Sequence, residues 1–363
     1  MKKEEMEKFM SLALVLAEEG IGRVSPNPLV GAVIVKDGRV IGKGAHLNYG
    51  GLHAERAALQ ACSEDPKGAV LFVNLEPCCH YGKQPPCTEA IIEAGISTVV
   101  VGSPDPNPKV AGRGIDLLRK AGIEVITGCL TEQSDLLNRI FLHYIQKKMP
   151  YLVMKYAMTR DGKIASRTGD SRGISGPEAN RFVHGLRHRY RGIMVGIGTV
   201  LADDPLLTCR IEGGRDPVRI ICDSRLRIPL NSRLVRTADR VETIVATLDR
   251  DAEKTAALEK AGIRLIYPKE KDGRIDPVDL LLLLAEEKID SILLEGGAEL
   301  SASFLKEGLV QKVYTLIAPK ILGGREALSP VGGRGLDRID EAPAVKNLSL
   351  QILGEDILIE SEF

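Results

Sequence analysis

Apolar positions recur along the amino-terminal stretch with more than one period. Over residues 4–19, Met6, Phe9, Met10, Ala13 and Ala17 repeat at helical spacing, and Gly20 stops the run. The apolar run 29–35 predicts a buried strand, Asp37-Gly38 a tight turn, and 40–44 the returning strand. A helix is predicted from His53 to Cys62, strands over 69–75, 97–102 and 124–127, and helices over 88–94 and 113–121. Residues 131–147 read as one longer helix, with Leu137, Ile140, Phe141 and Tyr144 as its buried stripe. Met149-Pro150 ends it, and a domain boundary falls there, giving units 1–148 and 149–363.

The second unit predicts strands near 151–157, 193–197, 218–223, 242–246, 264–267, 291–294 and 312–317. Helices fall near 177–191, 251–261, 277–288 and 298–307, and 348–353 with 356–361 form a terminal pair of strands. Strands alternating with helices predict an α/β architecture. A chain of 363 residues has ample core for two domains.

Lysine plus arginine equals aspartate plus glutamate, 49 each, so no long-range field draws nucleic acid or an acidic membrane. There is no tryptophan to build base-stacking platforms. No apolar run approaches the roughly 20 residues of a membrane span. The charged start, Met1-Lys2-Lys3-Glu4-Glu5, does not resemble a signal peptide. Seven cysteines spread over a long chain suit a reducing compartment, so a cytoplasmic location is expected.

One grouping carries chemistry. His53-Ala54-Glu55 is followed by Pro77-Cys78 and then by Cys87. An imidazole and two thiolates suit zinc, and a catalytic zinc keeps three protein ligands with one position open for water. Bound zinc lowers that water's pKa, and Glu55 is the acid-base group beside it. The order H-x-E, P-C, C is a zinc deaminase signature. The rival is a structural zinc closed by a fourth ligand, Cys79 or His80.

The gap between the cysteines, residues 79–86, is longer than the usual two residues and offers His80 and Lys83 at the mouth of a site. Two proline-rich loops, Ser25-Pro26-Asn27-Pro28 and Pro104-Asp105-Pro106-Asn107-Pro108, hold Asn27, Asp105 and Asn107 in fixed poses. In the second unit no complete G-x-G-x-x-G follows a strand, which argues against an ordinary Rossmann site. Glu295-Gly296-Gly297 lies between a strand and a helix opening at Ala298, a turn that exposes N–H groups to phosphate.

The segments Asn27-Pro28-Leu29-Val30-Gly31-Ala32-Val33, Gly44-Ala45-His46, Leu75-Glu76-Pro77-Cys78, His80-Tyr81-Gly82-Lys83 and Val110-Ala111-Gly112-Arg113-Gly114 resemble the bifunctional riboflavin-biosynthesis deaminase/reductase family. So do Lys155-Tyr156-Ala157-Met158-Thr159, Val195-Gly196-Ile197-Gly198-Thr199, Ala202-Asp203-Asp204-Pro205 and Leu207-Thr208-Cys209-Arg210. The resemblance spans nearly the whole chain.

It implies a cytidine-deaminase-like αβα sandwich followed by a dihydrofolate-reductase-like domain with a large mixed sheet. It implies two reactions on a phosphorylated pyrimidine. The first is zinc-dependent deamination of 2,5-diamino-6-ribosylamino-4(3H)-pyrimidinone 5′-phosphate. NADPH-dependent reduction then gives 5-amino-6-ribitylaminouracil 5′-phosphate. The resemblance carries zinc ligation to His53, Cys78 and Cys87 and proton transfer to Glu55. Substrate contacts fall to Asn27, His46, His80, Lys83, Asp105 and Asn107, and in the second unit to Ser171, Arg187, Leu207, Arg210 and Glu295, of which Arg187 and Arg210 are able to hold a phosphate bidentately. Cofactor contacts fall to Ala157, Gly173, Thr199, Asp203 and Ser224, and to Gly297, Ala298, Glu299, Leu300, Ser301, Ala302 and Ser303. Lys155 is assigned to hydrogen bonding of the substrate sugar or to proton transfer, and Ser224 with Arg225 to a 2′-phosphate. A homodimer or tetramer formed through the reductase half is implied. Gly173 stands where the family often carries an aromatic, which removes a stacking contact, and Cys79 stands where serine is common. The competing readings are a nucleic-acid base deaminase with an accessory domain, and a zinc-stabilised scaffold.

Overall fold

A computed structural model describes residues 1–363, which divide into two compact units, Met1–Lys148 and Met149–Phe363. The first contains α1 (Lys3–Glu18), β1 (Gly31–Lys36), β2 (Arg39–Ala45), α2 (Ala54–Gln60), β3 (Val70–Leu75) and α3 (Cys87–Glu93). It continues with β4 (Thr98–Ser103), α4 (Arg113–Lys120), β5 (Glu124–Thr127), α5 (Thr131–Leu137) and α6 (Arg139–Lys147). The strands lie in the order β2-β1-β3-β4-β5. β1 runs antiparallel to β2 and β3, whereas β3, β4 and β5 are parallel.

Every residue of β1 is apolar except Lys36, and the period-two alternation sorts them between two cores. Ala32 and Ile34 pack with Ala54 and Ala58 of α2, Ile91 of α3 and Leu118 of α4. Val33 and Val35 pack with Phe9, Met10 and Ala13 of α1. The unit is therefore the αβα sandwich that the resemblance implies. α2 lies directly on β2: a Cβ at Gly44 would stand 2.3 Å from Ala58 N and 2.5 Å from Ala54 O, and one at Gly42 would stand 2.4 Å from Ala58 O.

The expected single helix over 131–147 is two helices. Asn138 breaks it (φ −95°, ψ 14°) and turns its amide to Leu29, accepting from the Leu29 N–H at 2.8 Å and donating to its carbonyl at 3.0 Å. Those two side-chain bonds anchor the entry to β1, while the Asn138 backbone still donates to Ser134 and accepts from Leu142.

The second unit contains β6 (Tyr151–Thr159), α7 (Pro177–Arg189), β7 (Gly192–Gly196), α8 (Ile197–Asp203), β8 (Val218–Cys222), α9 (Arg233–Arg236) and β9 (Thr243–Ala246). It continues with α10 (Ala252–Lys260), β10 (Ile263–Ile266), β11 (Glu270–Lys271), β12 (Arg274–Ile275), α11 (Pro277–Glu286) and β13 (Ser291–Leu294). Last come α12 (Ala298–Lys306), β14 (Lys312–Ala318), β15 (Lys346–Leu353) and β16 (Asp356–Glu362). Nine strands form one sheet, β10-β9-β8-β7-β13-β6-β14-β16-β15. It is parallel from β10 to β14, and the terminal pair adds antiparallel, making a large mixed sheet. α8, α9 and the β11–β12 hairpin were not expected from the sequence pattern. No helix is long and apolar enough to cross a membrane.

Arg219 in β8 has no exposed surface. Its guanidinium donates to Thr243 and Thr237 hydroxyls and to the carbonyls of Leu206, Leu234 and Val241. Replacing it with methionine orphans the carbonyls of Leu206 and Leu234, whereas that of Val241 keeps the Thr243 hydroxyl at 2.8 Å. At ~1 kcal/mol or more each, the variant should lose about 2 kcal/mol, read as a lowered midpoint for the unfolding transition of the second unit.

Candidate active sites

The parallel strands β3 and β4 end side by side, with Leu75 paired to Ser103. The first site opens beyond them. His53 is the residue before α2, Cys78 follows β3, and Cys87 is the first residue of α3. The ligand atoms of His53, Cys78 and Cys87 all lie within 4.8 Å of one another. His53 Nδ1 is 3.4 Å from the Cys78 sulfur and 3.3 Å from that of Cys87. The backbone N–H of Cys87 donates to Cys78 Sγ at 3.3 Å.

This donor set fits zinc: two sulfurs and one imidazole nitrogen converge, and no other His, Cys, Asp or Glu joins the group. Cys79 turns its thiol to the Lys109 carbonyl at 3.6 Å, and His80 lines the adjoining cavity. Neither supplies the fourth ligand that a closed site needs.

Electrostatics follow from burial and hydrogen bonding. The Cys78 thiol is pulled down to about 4, first by the hydrogen bond shared with the Cys87 thiol and then by His53. Cys87, the partner holding the shared proton, is raised. His53 is raised by its bond to Cys78. Glu55 is 3% exposed, and burial pushes its carboxyl up to about 7. Burial likewise pushes Asp105 up to about 6 and lowers His46.

A cavity of about 410 Å³ brings together Glu55, His53, Cys78, Asn27, His46, His80, Lys83, Asp105 and Asn107. His46 Nδ1 faces the Leu52 carbonyl at 2.8 Å, which only accepts, so Nδ1 carries the proton. Nε2 then accepts from the Asn27 amide nitrogen at 3.1 Å, which fixes the orientation of that amide. The 79–86 loop is docked over the site. Arg56 donates to the carbonyls of Pro85 and Pro86, Gln84 donates to that of Gly50, and Lys83 Nζ sits 3.9 Å from the Tyr49 ring centroid. Tyr49 and Phe141 also line the cavity; Phe141 read only as part of a core stripe, and nothing in the sequence pattern singled out Tyr49.

In the second unit, β7 and β8 end side by side, with Gly196 paired to Cys222, and β13 ends two residues short of them, with Leu294 paired to Met194. A cavity of about 880 Å³ lies at that edge. Thr199, Asp203, Ser224, Gly297, Ala298, Glu299, Leu300, Ser303 and Ser171 line it. Gly297 has φ +90°, a backbone conformation that side chains strain, so the turn into α12 favours glycine. A cavity of that volume, lined by Gly297, Ala298 and Glu299 at the start of α12, fits a phosphate-bearing dinucleotide. Ala157, Gly173, Ser301 and Ala302 lie outside this lining; Ser301 is buried, and Gly173 accepts a hydrogen bond from Lys320 through its carbonyl. Ser171 donates to Asp203 at 3.3 Å.

The remaining residues form a separate charged group. Arg187 donates through Nε and Nη2 to the two oxygens of Glu295, at 2.7 and 2.8 Å, and through Nη1 to the Thr208 carbonyl at 3.1 Å. Its fork, expected to face a phosphate, is therefore committed to Glu295. Burial lowers Lys155, opposed by the nearby Glu295. Burial alone would raise Glu295, but Arg187 and Lys155 hold it below the usual carboxylate range. Leu207 is buried with φ +54°, and Arg210 is exposed.

Residues 3–103 match the family described as the cytidine and deoxycytidylate deaminase zinc-binding region, and residues 150–359 match the RibD C-terminal domain. The chain is 50% identical over 352 residues to the riboflavin biosynthesis protein RibD of Actinobacillus pleuropneumoniae, covering 97% of this chain and 94% of that protein. It is 37% identical to RibD of Escherichia coli over 366 residues, covering 97% and 98%. A crystal structure from Thermotoga maritima, titled a diaminohydroxyphosphoribosylaminopyrimidine deaminase/5-amino-6-(5-phosphoribosylamino)uracil reductase, superposes with a TM-score of 0.90 at 40% identity over 99% of each chain. Acinetobacter baumannii RibD superposes with a TM-score of 0.91 at 35% identity, over 100% of this chain and 99% of that one. The chain therefore belongs to the RibD family of riboflavin-biosynthesis proteins, with a zinc-binding deaminase region followed by a reductase domain.

Proposed function

We propose that the chain catalyses two successive reactions. It removes an exocyclic amine from a diaminopyrimidinone bearing a ribosylamino 5-phosphate, and then reduces the opened ribose to a ribityl chain with NADPH. The observation that carries the first reaction is a three-ligand group, His53, Cys78 and Cys87, beside the buried carboxyl of Glu55 at the base of a cavity.

A zinc ion held by those three side chains would supply a Lewis acid with one position left for water. The chain's own residues do the rest. Glu55, with its proton held to about 7, takes a proton from water and returns one to the leaving amine. The net change consumes one water: the exocyclic amine leaves as ammonia and an exocyclic carbonyl oxygen takes its place on the ring carbon. Asn27, held by His46, and Asp105 with Asn107 read the heterocycle, while His80 and Lys83 at the mouth meet the phosphate.

For the second reaction, NADPH supplies the hydride, and the protein's task is alignment. The turn at Gly297 and the start of α12 would hold the cofactor's phosphate, and Thr199, Asp203 and Ser224 line the same cavity. Lys155, half-buried near Glu295, orients the substrate sugar or assists proton transfer. Arg187 holds Glu295 in place, which leaves Arg210 as the exposed cation for the substrate phosphate.

All seven cysteines are free, in keeping with a cytoplasmic setting. Self-association into a dimer or tetramer through the reductase half is supported by edge strand β15, which exposes Leu348, Leu350 and Ile352.

Replacing Glu55 with glutamine should cut ammonia release by about 10²–10⁴-fold while NADPH oxidation on the deaminated intermediate stays intact. Full-rate ammonia release would rule out Glu55 as the proton carrier. Arg225 and Arg227 line the reductase cavity near Ser224. Changing both to alanine should erode preference for NADPH over NADH by roughly tenfold, because charge-assisted bonds to a 2′-phosphate are lost. Steady-state kinetics with both cofactors measures the ratio.

A further inference from the structure

We infer that Glu76 is a positioning residue of the deaminase site, holding the cavity wall that carries Asp105 and Asn107. The inference rests on the deaminase reading above.

Glu76 follows β3 and stands two residues before Cys78; it is 3% exposed. Its carboxylate accepts four backbone N–H bonds. Oε1 takes Gly114 at 3.0 Å and Ile115 at 3.3 Å, while Oε2 takes Gly112 at 3.1 Å and Asp105 at 3.2 Å. Three of these donors belong to the start of α4, whose N-cap, Gly112, has no side chain with which to cap it. A carboxylate from a distant strand end thus caps the helix.

Capping alone does not explain the fourth bond. The Asp105 N–H lies in the loop after β4, before the segment that lines the mouth of the cavity with Asn107, Lys109 and Val110. One carboxylate therefore fixes both ends of that segment, at Asp105 and at Gly112. Asp105 Oδ1 in turn accepts from the Asn107 N–H at 2.8 Å, which sets the pose of the next substrate-facing residue. Contact between α4 and the Glu76-Pro77 segment is close: a Cβ at Gly114 would stand 2.2 Å from the Pro77 carbonyl. The side chain of Glu76 thus sets the distance from the wall to Cys78.

Glu76→Gln keeps the shape but replaces one acceptor oxygen with an NH2 group that only donates, so two N–H groups lose their partner. In the full-length zinc-loaded protein, this variant should raise KM for deamination by roughly tenfold or more with kcat changed far less, the signature of lost substrate binding. Bound zinc should stay at the wild-type level, and NADPH-dependent reduction of the deaminated intermediate should be unchanged. Combined with Asp105→Asn, the effect should be no greater than that of the worse single change, since both act on one wall. Gly114→Ala, whose Cβ would stand 2.2 Å from the Pro77 carbonyl and 3.2 Å from Glu76 Oε1 and so pushes α4 off a chemically unchanged carboxylate, should reproduce the KM rise. If Glu76→Gln is too unstable to assay, Gly114→Ala and its cycle with Asp105→Asn decide the matter. An unchanged KM, fully multiplicative effects in the cycle, or a loss of zinc with kcat rather than KM would overturn the inference. Failure of the wild-type protein to release ammonia would instead sink the deaminase reading itself.

Discussion

The first unit depends on the bond from the Cys87 N–H to the Cys78 sulfur. It joins the end of β3 to the first turn of α3, and the Thr88 N–H reinforces it by donating to the Cys78 carbonyl at 3.2 Å. The N-terminus of α3 thereby stabilises charge on Cys78, and His53, at the entrance to α2, faces the same sulfur. Residues 79–86 leave and return through a fixed neck. Their length sets what overhangs the cavity without moving the sulfurs.

The second unit solves a different electrostatic problem. Lys155 and Arg187 are cations with one carboxylate, Glu295, between them. A buried charge without a partner is costly, so the bidentate Arg187–Glu295 pair comes first and the lysine is left partly compensated. A lysine in that state gives up its proton more readily than one in water, which suits a group expected to assist a reduction.

Much of this was legible in the sequence because its signals are local. The apolar run of β1 and the helical spacing in α1 are local signals, and the H-x-E, P-C, C order names its own chemistry. The misses are long-range. The apolar stripe continues through Asn138, so only its bonds to Leu29, 109 residues away, reveal the break. α8 and α9 are too short to show a period, at seven and four residues. Arg187 reads as a phosphate ligand until the fold brings Glu295 across 108 residues to meet it. Nothing near Glu76 in the chain announces that its four donors lie at positions 105–115.

Gly42 and Gly44 let α2 rest on bare backbone of β2. That helix begins at the imidazole ligand and carries the proton-handling carboxylate on its second residue. Any methyl group at either glycine would lift the whole helix and shift both functional atoms together. Directed evolution of this scaffold toward new amines therefore has two unequal territories. The docked loop can be randomised to retune selectivity, while the glycine pair has to be left alone.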